Sequence, residues 1–418
     1  MSDEVARHAK QRESRWNVLL LYLLAGLVTT SHAATSFIYP LNLNRLGHPV
    51  SLIGVTVALL GLGSLLSRIP GGAWYRLSRA RLLICGALVT TGASAALLGV
   101  GDPWAFQACL GALHGFGWGL SGTFLLALLI EDRPRTQNAA PMMAWYTAAI
   151  SSGYAVGALL GAESIRVFDY VGAFLASSVL ALVGAVLSLA LRPPPEHERA
   201  RPRPHIGKAS RQNEGIRTIA ALPAGVWLAT LLAFYINFAS DTYHTFFPIY
   251  AIAIGIPLGT VGLLKSISSL SATGIRFAAA ALLRFTQPGI VNHVSLIAMA
   301  LAMVGLSLFT SEVLLGALFV VLGFSRGLIR VTSATMVAEE RERTDANVGM
   351  ASGVYNAGLD VGTMLGPPVA GVIAATLDIP STFLLVGLGL PALYYAIWFT
   401  QRARTKRPQP VLAMGGDE

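Results

Sequence analysis

The residues of this chain that are most able to do chemistry are charged side chains inside long apolar stretches. Asp241 and Asp360 are the carboxylates among them, and Lys265, Arg326 and Arg330 are cations. A charged group surrounded by apolar chain costs free energy unless it is paired, faces a polar cavity or carries a function. The carboxylates are therefore candidates for taking up and releasing a proton, and the cations are candidates for pairing or binding.

Two histidines add further proton chemistry. His32 and His114 each lie near the middle of an apolar stretch. An imidazole changes its charge near neutral pH and so suits a proton-transfer step. A single histidine in such a stretch can equally be a hydrogen-bonded packing residue, and the sequence leaves both interpretations open.

Position within each stretch separates the two carboxylates. Counted from the ends of the stretches at about 1.5 Å per helical residue, Asp360 lies near the middle, whereas Asp241 and Lys265 lie in the outer third. We expect Asp360 to carry the proton, or else to form a structural ion pair with Arg326. We expect Asp241 and Lys265 to form a gate or a structural pair.

The apolar stretches also indicate where the chain resides. Apolar residues make up 54% of it and charged residues 12%, against about 25% charged in soluble domains. Runs of about 20 apolar residues can cross roughly 30 Å of hydrocarbon as helices. We predict an all-α membrane protein with twelve transmembrane helices near residues 17–40, 51–73, 82–100, 104–130, 139–161, 170–191, 222–247, 259–283, 290–309, 314–337, 347–376 and 381–400.

An internal repeat organises these helices. Arg68 and Arg76 are matched 208 residues later by Arg276 and Arg284. The same offset, which lengthens to 209, pairs other identical residues, namely Pro40 with Pro248, Gly47 with Gly255, Gly54 with Gly262, Gly115 with Gly323, Gly153 with Gly362 and Gly157 with Gly366. We therefore predict two six-helix units repeated in the same orientation. Arg68 and Arg276 lie toward the inner ends of their helices, where we expect them to reach the cytoplasmic surface.

Basic residues orient the predicted helices. Lys and Arg in short loops stay on the cytoplasmic side, and most of the 30 in this chain fall in the tails, the central segment and the loops of one face. We predict six-helix bundles at 17–191 and 222–400, a cytoplasmic linker at 192–221, and cytoplasmic tails at 1–16 and 401–418. The net charge of +9 needs no nucleic-acid partner, because such loops face an anionic lipid leaflet.

The twelve predicted helices, the parallel repeat and the basic linker make the chain resemble the major facilitator superfamily. In that family the loop after helix 2 carries a Gly, an Asp-Arg pair and a second Gly. Here Arg76 is kept, whereas Tyr75 and Ser78 replace the Asp and the second Gly. The resemblance implies that Arg76 latches the two halves in the outward-open state, with helix-end carbonyls or a carboxylate near Glu131 as its acceptor.

A second resemblance lies in helices 5 and 11. Gly153 and Gly157 match the G-x-x-x-G spacing found in helix 5 of proton-driven antiporters, and Gly366-Pro367 keeps the Gly-Pro step of that pattern. Small residues four apart let two helix backbones approach closely, and a proline leaves a bend. The spacing favours proton-coupled antiport, and ordinary helix packing is the alternative interpretation.

In the same family, helices 1, 4, 7 and 10 line a central cavity, and the resemblance implies which side chains meet the solute. With contributions from helices 5 and 11, the candidates are His32, Tyr39, His114, Trp118, Tyr146, Asn237, Asp241, Arg326, Tyr355 and Asn356. Aromatic, hydroxyl and cationic groups together suit an amphiphilic or anionic organic solute.

We therefore expect a monomeric secondary transporter of a small organic molecule in a bacterial cytoplasmic membrane, with protons as the coupling ion and no cofactor. Proton-coupled export is favoured, and import by a symporter or facilitator is the alternative. An intramembrane enzyme is suggested by the G-x-S-x-G string at 323–327, but that motif needs a strand-to-helix turn and here lies in an apolar helix. A receptor that transports nothing is disfavoured, because the sequence shows no soluble domain to deliver a signal.

Overall fold

The computed structural model describes residues 2–131, 139–192, 222–344 and 348–405. These residues form twelve α-helices, a 3-10 turn at Leu77–Arg79 and no strand. Most of the predicted linker (192–221) and the chain after residue 405 lie outside the described residues.

The first six helices are close to those expected from the apolar runs. They are α1 (Ser2–Arg45), α2 (Val50–Trp74), α3 (Ala80–Leu98) and α4 (Trp104–Glu131), followed by the run Ala139–Ser188. Asp169 breaks that run with a positive φ of 57°, a conformation that a helix cannot contain. The break divides the run into α5 (139–168) and α6 (170–188). Because α1 begins at Ser2, the segment predicted as an N-terminal tail continues the first helix.

The remaining helices complete the predicted number. They are α7 (Ala224–Ala253), α8 (Leu258–Phe285), α9 (Pro288–Leu308), α10 (Glu312–Thr344), α11 (Val348–Thr376) and α12 (Ile379–Thr405). Ten stretches of the described chain are long and apolar enough to cross a bilayer, and one of them, Met142–Ser188, contains both α5 and α6. Helix α8 is not among the ten. It carries basic residues and serines, and it packs between α5 and α10 inside the bundle.

Several helices extend past their predicted ends, and two of these, α1 and α7, continue through a proline. Helix α1 continues through Pro40 to Arg45, and α7 continues through Pro248 to Ala253. A buried transmembrane helix tolerates proline, since neighbouring helices and local adjustments satisfy the freed backbone groups. The longer α7 moves Asp241 from its expected place in the outer third to near the middle of the helix.

The ends of α1 and α7 show the repeat directly. Gly47 and Gly255 follow these helices with positive φ values of 77° and 87°, a conformation that glycine adopts without steric cost. Pro49 and Pro257 then precede the first residues of α2 and α8. The same chain reversal is therefore built twice, at the predicted offset of 208 residues.

Close helix contacts repeat at the same offset within each half. A Cβ on Gly115 of α4 would meet the Leu60 carbonyl of α2, and a Cβ on Gly323 of α10 would meet the Ser268 carbonyl of α8. Each pair of partners is separated from its counterpart by the same 208 residues. These glycines let helix backbones touch, which side chains of any size would prevent.

Contacts between the halves also occur in symmetric pairs. Gly54 of α2 packs against the backbone of Pro367 in α11, and its counterpart Gly262 of α8 packs against the backbone of Ala158 in α5. Each half thus contributes the glycine to one of these two contacts and the backbone partner to the other. This exchange is the mark of a pseudo-twofold axis between parallel repeats, and it confirms the predicted all-α fold of two parallel six-helix units.

The two halves meet at one end of the bundle. A hydrophobic core that runs through the second half reaches the first half at the end that carries Gly47 and Gly255, through Phe37, Ile53 and Ala162. At the opposite end the first half has its own separate core, which includes Leu20, Phe124 and Leu128. Among the described residues, the molecule is therefore closed at the Gly47 end and open at the end where α1 begins and α12 finishes.

Candidate functional site

A cavity of about 330 Å³ lies between the two halves. Side chains from α1, α2, α4, α5, α7, α8, α10 and α11 line it, so both halves contribute. Its polar lining residues are His32, Ser36, Tyr39, Ser64, Arg68, Trp118, Tyr154, Asn237, Asp241, His244, Thr245, Lys265, Ser269, Arg326, Arg330, Asn356, Asp360 and Thr363. The volume is at the small end of the usual range for metabolite-sized ligands.

Charge is concentrated on this lining. Four cationic side chains, Arg68, Lys265, Arg326 and Arg330, face two carboxylates, Asp241 and Asp360. All but Arg68 belong to the second half. Cations therefore outnumber carboxylates, and the lining can attract an anion.

Asp360 lies in an ion pair that joins the two halves. Its Oδ1 is 3.5 Å from an Nη atom of Arg68, which is on α2 in the other half. The Arg68 side chain is 54% exposed, whereas that of Asp360 is 19% exposed. The expected pairing of Asp360 with Arg326 was therefore wrong. The expectation that Arg68 extends to the cytoplasmic surface was also wrong. Arg68 instead lines the cavity, where it meets Asp360.

Asp241 belongs to a hydrogen-bonded group within the second half. The Asn237 amide donates to the Leu359 carbonyl at 3.0 Å and to the Thr363 hydroxyl oxygen at 3.0 Å. Thr363 also interacts with the Asp241 carboxylate. This group ties α7 to α11 and leaves Asp241 on the cavity wall.

Lys265 does not form the expected pair with Asp241. Its Nζ donates to the His244 carbonyl at 3.0 Å and lies 5.0 Å from the centre of the Phe37 ring in the other half. No ion pair between Lys265 and Asp241 exists in the described part of the chain. Arg326 approaches the same histidine, with an Nη atom 3.3 Å from His244 Nε2. His244 therefore holds two of the cavity's cations in place.

An aromatic group forms the wall on the side of the first half. The His32 ring stacks on Trp118 with ring centres 4.3 Å apart, and Tyr154 meets both rings edge-on at 6.3 Å. Behind them lies His114, whose Nε2 is 3.2 Å from His32 Nδ1. His114 is fully buried and does not line the cavity, which corrects its expected place there.

Other predicted site residues lie elsewhere. Tyr146 belongs to the separate core of the first half, and Tyr355 is turned toward α10, where its hydroxyl lies 3.0 Å from Ser333 Oγ. Both were expected to approach the cavity. Asn356, one residue further along α11, does line it. A single helical step of 100° accounts for the difference.

The predicted gating residues fall into three groups. Gly153 and Gly157 of α5 pack on the α1 backbone, and Gly366 of α11 packs on the α7 backbone, while Pro367 makes the contact between the halves. Arg76 donates to the carbonyls of Ala73 and Tyr75 at 3.0 Å, at the end of α2. Arg276 is outside the cavity lining, and its Nε has no hydrogen-bond partner among the described residues.

Sequence reasoning missed several lining residues. Tyr154, His244 and Thr363 were not among the candidates, and Arg330 was noted as a cation but not assigned to the cavity. Arg330 lies four residues after Arg326, which places both on one face of α10. The four-residue spacing could therefore have identified Arg330 as a lining residue. Tyr154 lies on α5 next to Gly153. Nothing in the sequence at position 154 indicated that this tyrosine lines the cavity.

The string at 323–327 forms part of α10. Gly323 and Gly327 both pack on backbone atoms of α8, and Ser325 is buried. A nucleophile elbow requires a sharp turn that exposes the serine. The helical conformation therefore gives this string a packing role.

Comparisons with known proteins agree with this architecture. The sequence model described as the Major Facilitator Superfamily matches residues 18–344. No curated protein matches the chain. The solved structure of the nucleoside transporter NupG is similar with a TM-score of 0.78 at 13% sequence identity, over 94% of this chain and 99% of NupG. A bacterial homologue of the human lysosomal transporter Spinster, inward-facing and unoccupied, gives 0.73 at 13%, over 95% of this chain and 99% of that one.

Proposed function

Because the chain belongs to the Major Facilitator Superfamily, we propose that it is a proton-coupled secondary transporter of a small organic anion. The observation that carries this proposal is the central cavity, where four cationic side chains face two carboxylates between the two halves. An anion that enters this space gains attraction from the unbalanced cations. The limited volume favours a metabolite-sized solute.

Asp360 is the group that we propose to couple protons to the cargo. Its ion pair with Arg68 bridges the halves, so it must break whenever the halves rearrange. An anionic cargo that engages Arg68 leaves the Asp360 carboxylate without its partner, and a proton then neutralises it. Asp241 interacts with Thr363 of its own half and forms no ion pair with the other half among the described residues.

This electrostatic argument gives the coupling a direction. An anion in the cavity favours protonation of a nearby carboxylate, so proton and anion bind together and travel together. A cationic cargo would instead compete with the proton, which is the requirement for proton-driven export. The sequence pattern in α5 favoured export, but its glycines pack on α1 and carry no information on coupling. We therefore propose symport of a proton with the anion, which was the alternative to export in the sequence analysis. Proton-driven export is the competing outcome.

The setting of the carrier is part of the same proposal. We infer that 17–191 and 222–400 move as two units joined by the linker at 192–221, and that the protein works as a monomer in a bacterial cytoplasmic membrane. Since basic residues stay on the cytoplasmic side, both termini and the open end of the cavity are assigned to the cytoplasm. The described state is then inward-open.

Purified protein in liposomes that contain a pH-sensitive dye tests this proposal. Sulfonates and phosphate monoesters should be offered from outside, because their permanent charge prevents unaided passage. We expect one class of these anions to acidify the interior with the protein present and not without it. Organic cations that move protons in the opposite direction would support export instead. Transport confined to neutral nucleosides, the cargo class in the name of NupG, would contradict an anionic cargo.

A further inference from the structure

We propose that His114 fixes the tautomer of His32, so that His32 Nε2 faces the cavity as a hydrogen-bond acceptor and selects cargo with an N–H or O–H donor. The part that concerns cargo rests on the proposed transport function. The part that concerns the two histidines rests on geometry alone. In this arrangement His114 is a positioning residue, and His32 is the residue that meets the cargo.

The tautomer of His114 follows from its surroundings on α3. Its Nδ1 lies 3.1 Å from the Thr91 carbonyl oxygen and 3.4 Å from Ser94 Oγ. The Ser94 hydroxyl has the carbonyls of Thr90 and Thr91 as acceptors for its one proton. The Thr91 carbonyl can only accept a hydrogen bond, so Nδ1 of His114 must carry a hydrogen. In the neutral ring, Nε2 is then left as an acceptor.

The tautomer of His32 follows from that of His114. Its Nδ1 lies 3.2 Å from His114 Nε2, and two ring nitrogens at this distance need one hydrogen between them. Because His114 Nε2 offers a lone pair, His32 Nδ1 is the donor. Nε2 of His32 consequently carries no hydrogen and is an acceptor. It lies 3.5 Å from Ser36 Oγ, at the long limit of a hydrogen bond.

A charged pair does not fit this position. The groups that contact His32 in the described part of the chain are neutral, namely Trp118 on its face, Tyr154 at its edge, Ser36 and His114. Both histidines are buried, and no carboxylate contacts either ring among the described residues. Burial of an imidazolium without a counter-ion is costly, so the neutral relay from Thr91 to the cavity is the stable arrangement.

The cavity therefore presents two different walls to its occupant. The first half offers an aromatic surface with one fixed acceptor, and with Arg68 as its one charged lining residue in the described chain. The second half offers the remaining charges. A cargo that fits both walls has a planar part with a donor on its edge and an anionic group at the opposite end. The cargo must carry a donor, because an apolar edge would leave Nε2 of His32 without a hydrogen bond.

Nitrogen NMR of the full-length protein, labelled with ¹⁵N-histidine and held in lipid bilayers, tests the arrangement without any cargo. A coupling across the hydrogen bond should join a protonated Nδ1 of one histidine to a bare Nε2 of another, and it should disappear in His32→Phe. In His114→Leu, which removes the acceptor, His32 should lose its fixed Nδ1–H form, whereas His293→Leu should leave the pair unchanged. A purely structural role for His114 would not alter the tautomer of His32. A parent protein in which His32 carries its hydrogen on Nε2 would overturn the inference.

Matched anions test the selection of cargo. 4-Hydroxybenzenesulfonate and 4-methoxybenzenesulfonate differ in whether the ring edge carries a donor, and their binding to the purified protein can be measured by calorimetry. We expect the hydroxyl compound to bind about tenfold more tightly, as a hydrogen bond of roughly 1.4 kcal/mol implies, and the preference to vanish in His32→Phe. Equal binding of both by the parent would overturn the selection. If neither binds, the proposed anionic cargo fails and the selection fails with it, while NMR still decides the tautomers.

Discussion

Asp360 and Arg68 hold the one ion pair that connects the two halves across the cavity in the described chain. A pair in this position has two roles. It stabilises the present arrangement of the halves, and it keeps the carboxylate charged until something displaces the guanidinium. In the proposed mechanism, proton uptake and movement of the halves both follow when this contact breaks.

Replacement of Asp360 by Asn tests this link. The amide keeps the shape of the side chain and cannot take up a proton, so cargo exchange should continue while accumulation driven by a pH gradient disappears. The measurement is the ratio of inner to outer cargo in proteoliposomes, which should fall to about one. Asp241→Asn is the matched control, because Asp241 also lines the cavity but forms no ion pair between the halves in the described chain. If Asp241→Asn abolishes accumulation and Asp360→Asn does not, the proton carrier is Asp241.

Arg330 allows a separate test of the anionic cargo. Its guanidinium lines the cavity on the same face of α10 as Arg326. Removal of the charge in Arg330→Gln should weaken cargo binding about tenfold, the effect of roughly 1.4 kcal/mol of lost attraction. Arg284→Gln removes an equal charge from an exposed position at the end of α8 and should leave the affinity unchanged. Equal losses in both variants would indicate a general charge effect rather than a binding site.

The sequence predicted the types of these residues but not their partners. The cost of a charge in an apolar helix marks Asp241, Asp360, Lys265 and Arg326 without any structure. Which of them meet depends on how two separate halves are placed against each other. The Arg68–Asp360 pair arises from that placement, and no spacing along the chain encodes it.

At the scale of elements, the glycines of α2 and α8 set how closely the halves approach at the closed end. A methyl group on Gly54 would collide with the carbonyl of Pro367. Gly54→Ala should therefore separate the halves at this end and favour the alternative, oppositely open state. Chemical cross-linking of Glu163→Cys to Gly259→Cys, which lie across the other seam at the same end, should decrease in yield. This test uses protein in which Cys85 and Cys109 are replaced by Ala.

A control for this change exists on α8, the equivalent helix of the other half. A methyl group added to Gly274 of α8 would meet no atom within 4 Å, so Gly274→Ala should leave the cross-linking yield unchanged. Thermal unfolding of both variants separates a shift between states from a loss of fold. An unaltered yield in well-folded Gly54→Ala protein would show that this contact does not control closure.

Arg76 provides a prediction about the loop between α2 and α3. It binds the last carbonyls of α2, while Tyr75 in the place of the family's Asp reaches Glu131 of α4 at 3.2 Å. Arg76→Ala should loosen this helix end and slow turnover several-fold, with little change in thermal unfolding. Arg79→Ala, which alters a nearby exposed arginine, is the control for charge. Normal turnover of Arg76→Ala would indicate that the charge of this arginine serves only to orient the chain in the membrane.

Helices were the part of the fold that the sequence predicted best. Apolar length is read directly from composition, and all twelve helices lie near their expected positions. Several predicted ends were too early, and α1 and α7 continue through Pro40 and Pro248, because a packed membrane bundle tolerates proline inside a helix. The longer α7 places Asp241 near the middle of its helix, and Lys265 also lines the central cavity although it lies in the outer third of α8.

At the scale of the whole molecule, the structure is a pair of repeats that exchange equivalent contacts. Gly54 with Pro367 and Gly262 with Ala158 form one seam each, and both seams lie at the closed end. A rocking movement about the cavity can open these seams and close the opposite end. The charged lining would then face the other side of the membrane with the same residues.

The central claim is that cargo crosses by this movement around one cavity, and a reversible lock tests it most directly. In protein without native cysteines, Glu163→Cys and Gly259→Cys should be joined by a short, reducible bifunctional thiol reagent. Gly99→Cys with Val171→Cys, both in the first half, is the matched control. The account predicts that the locked protein still binds cargo from the open end, that transport stops, and that reduction restores it, with the control unaffected. Transport at the parent rate by fully cross-linked protein would contradict the account.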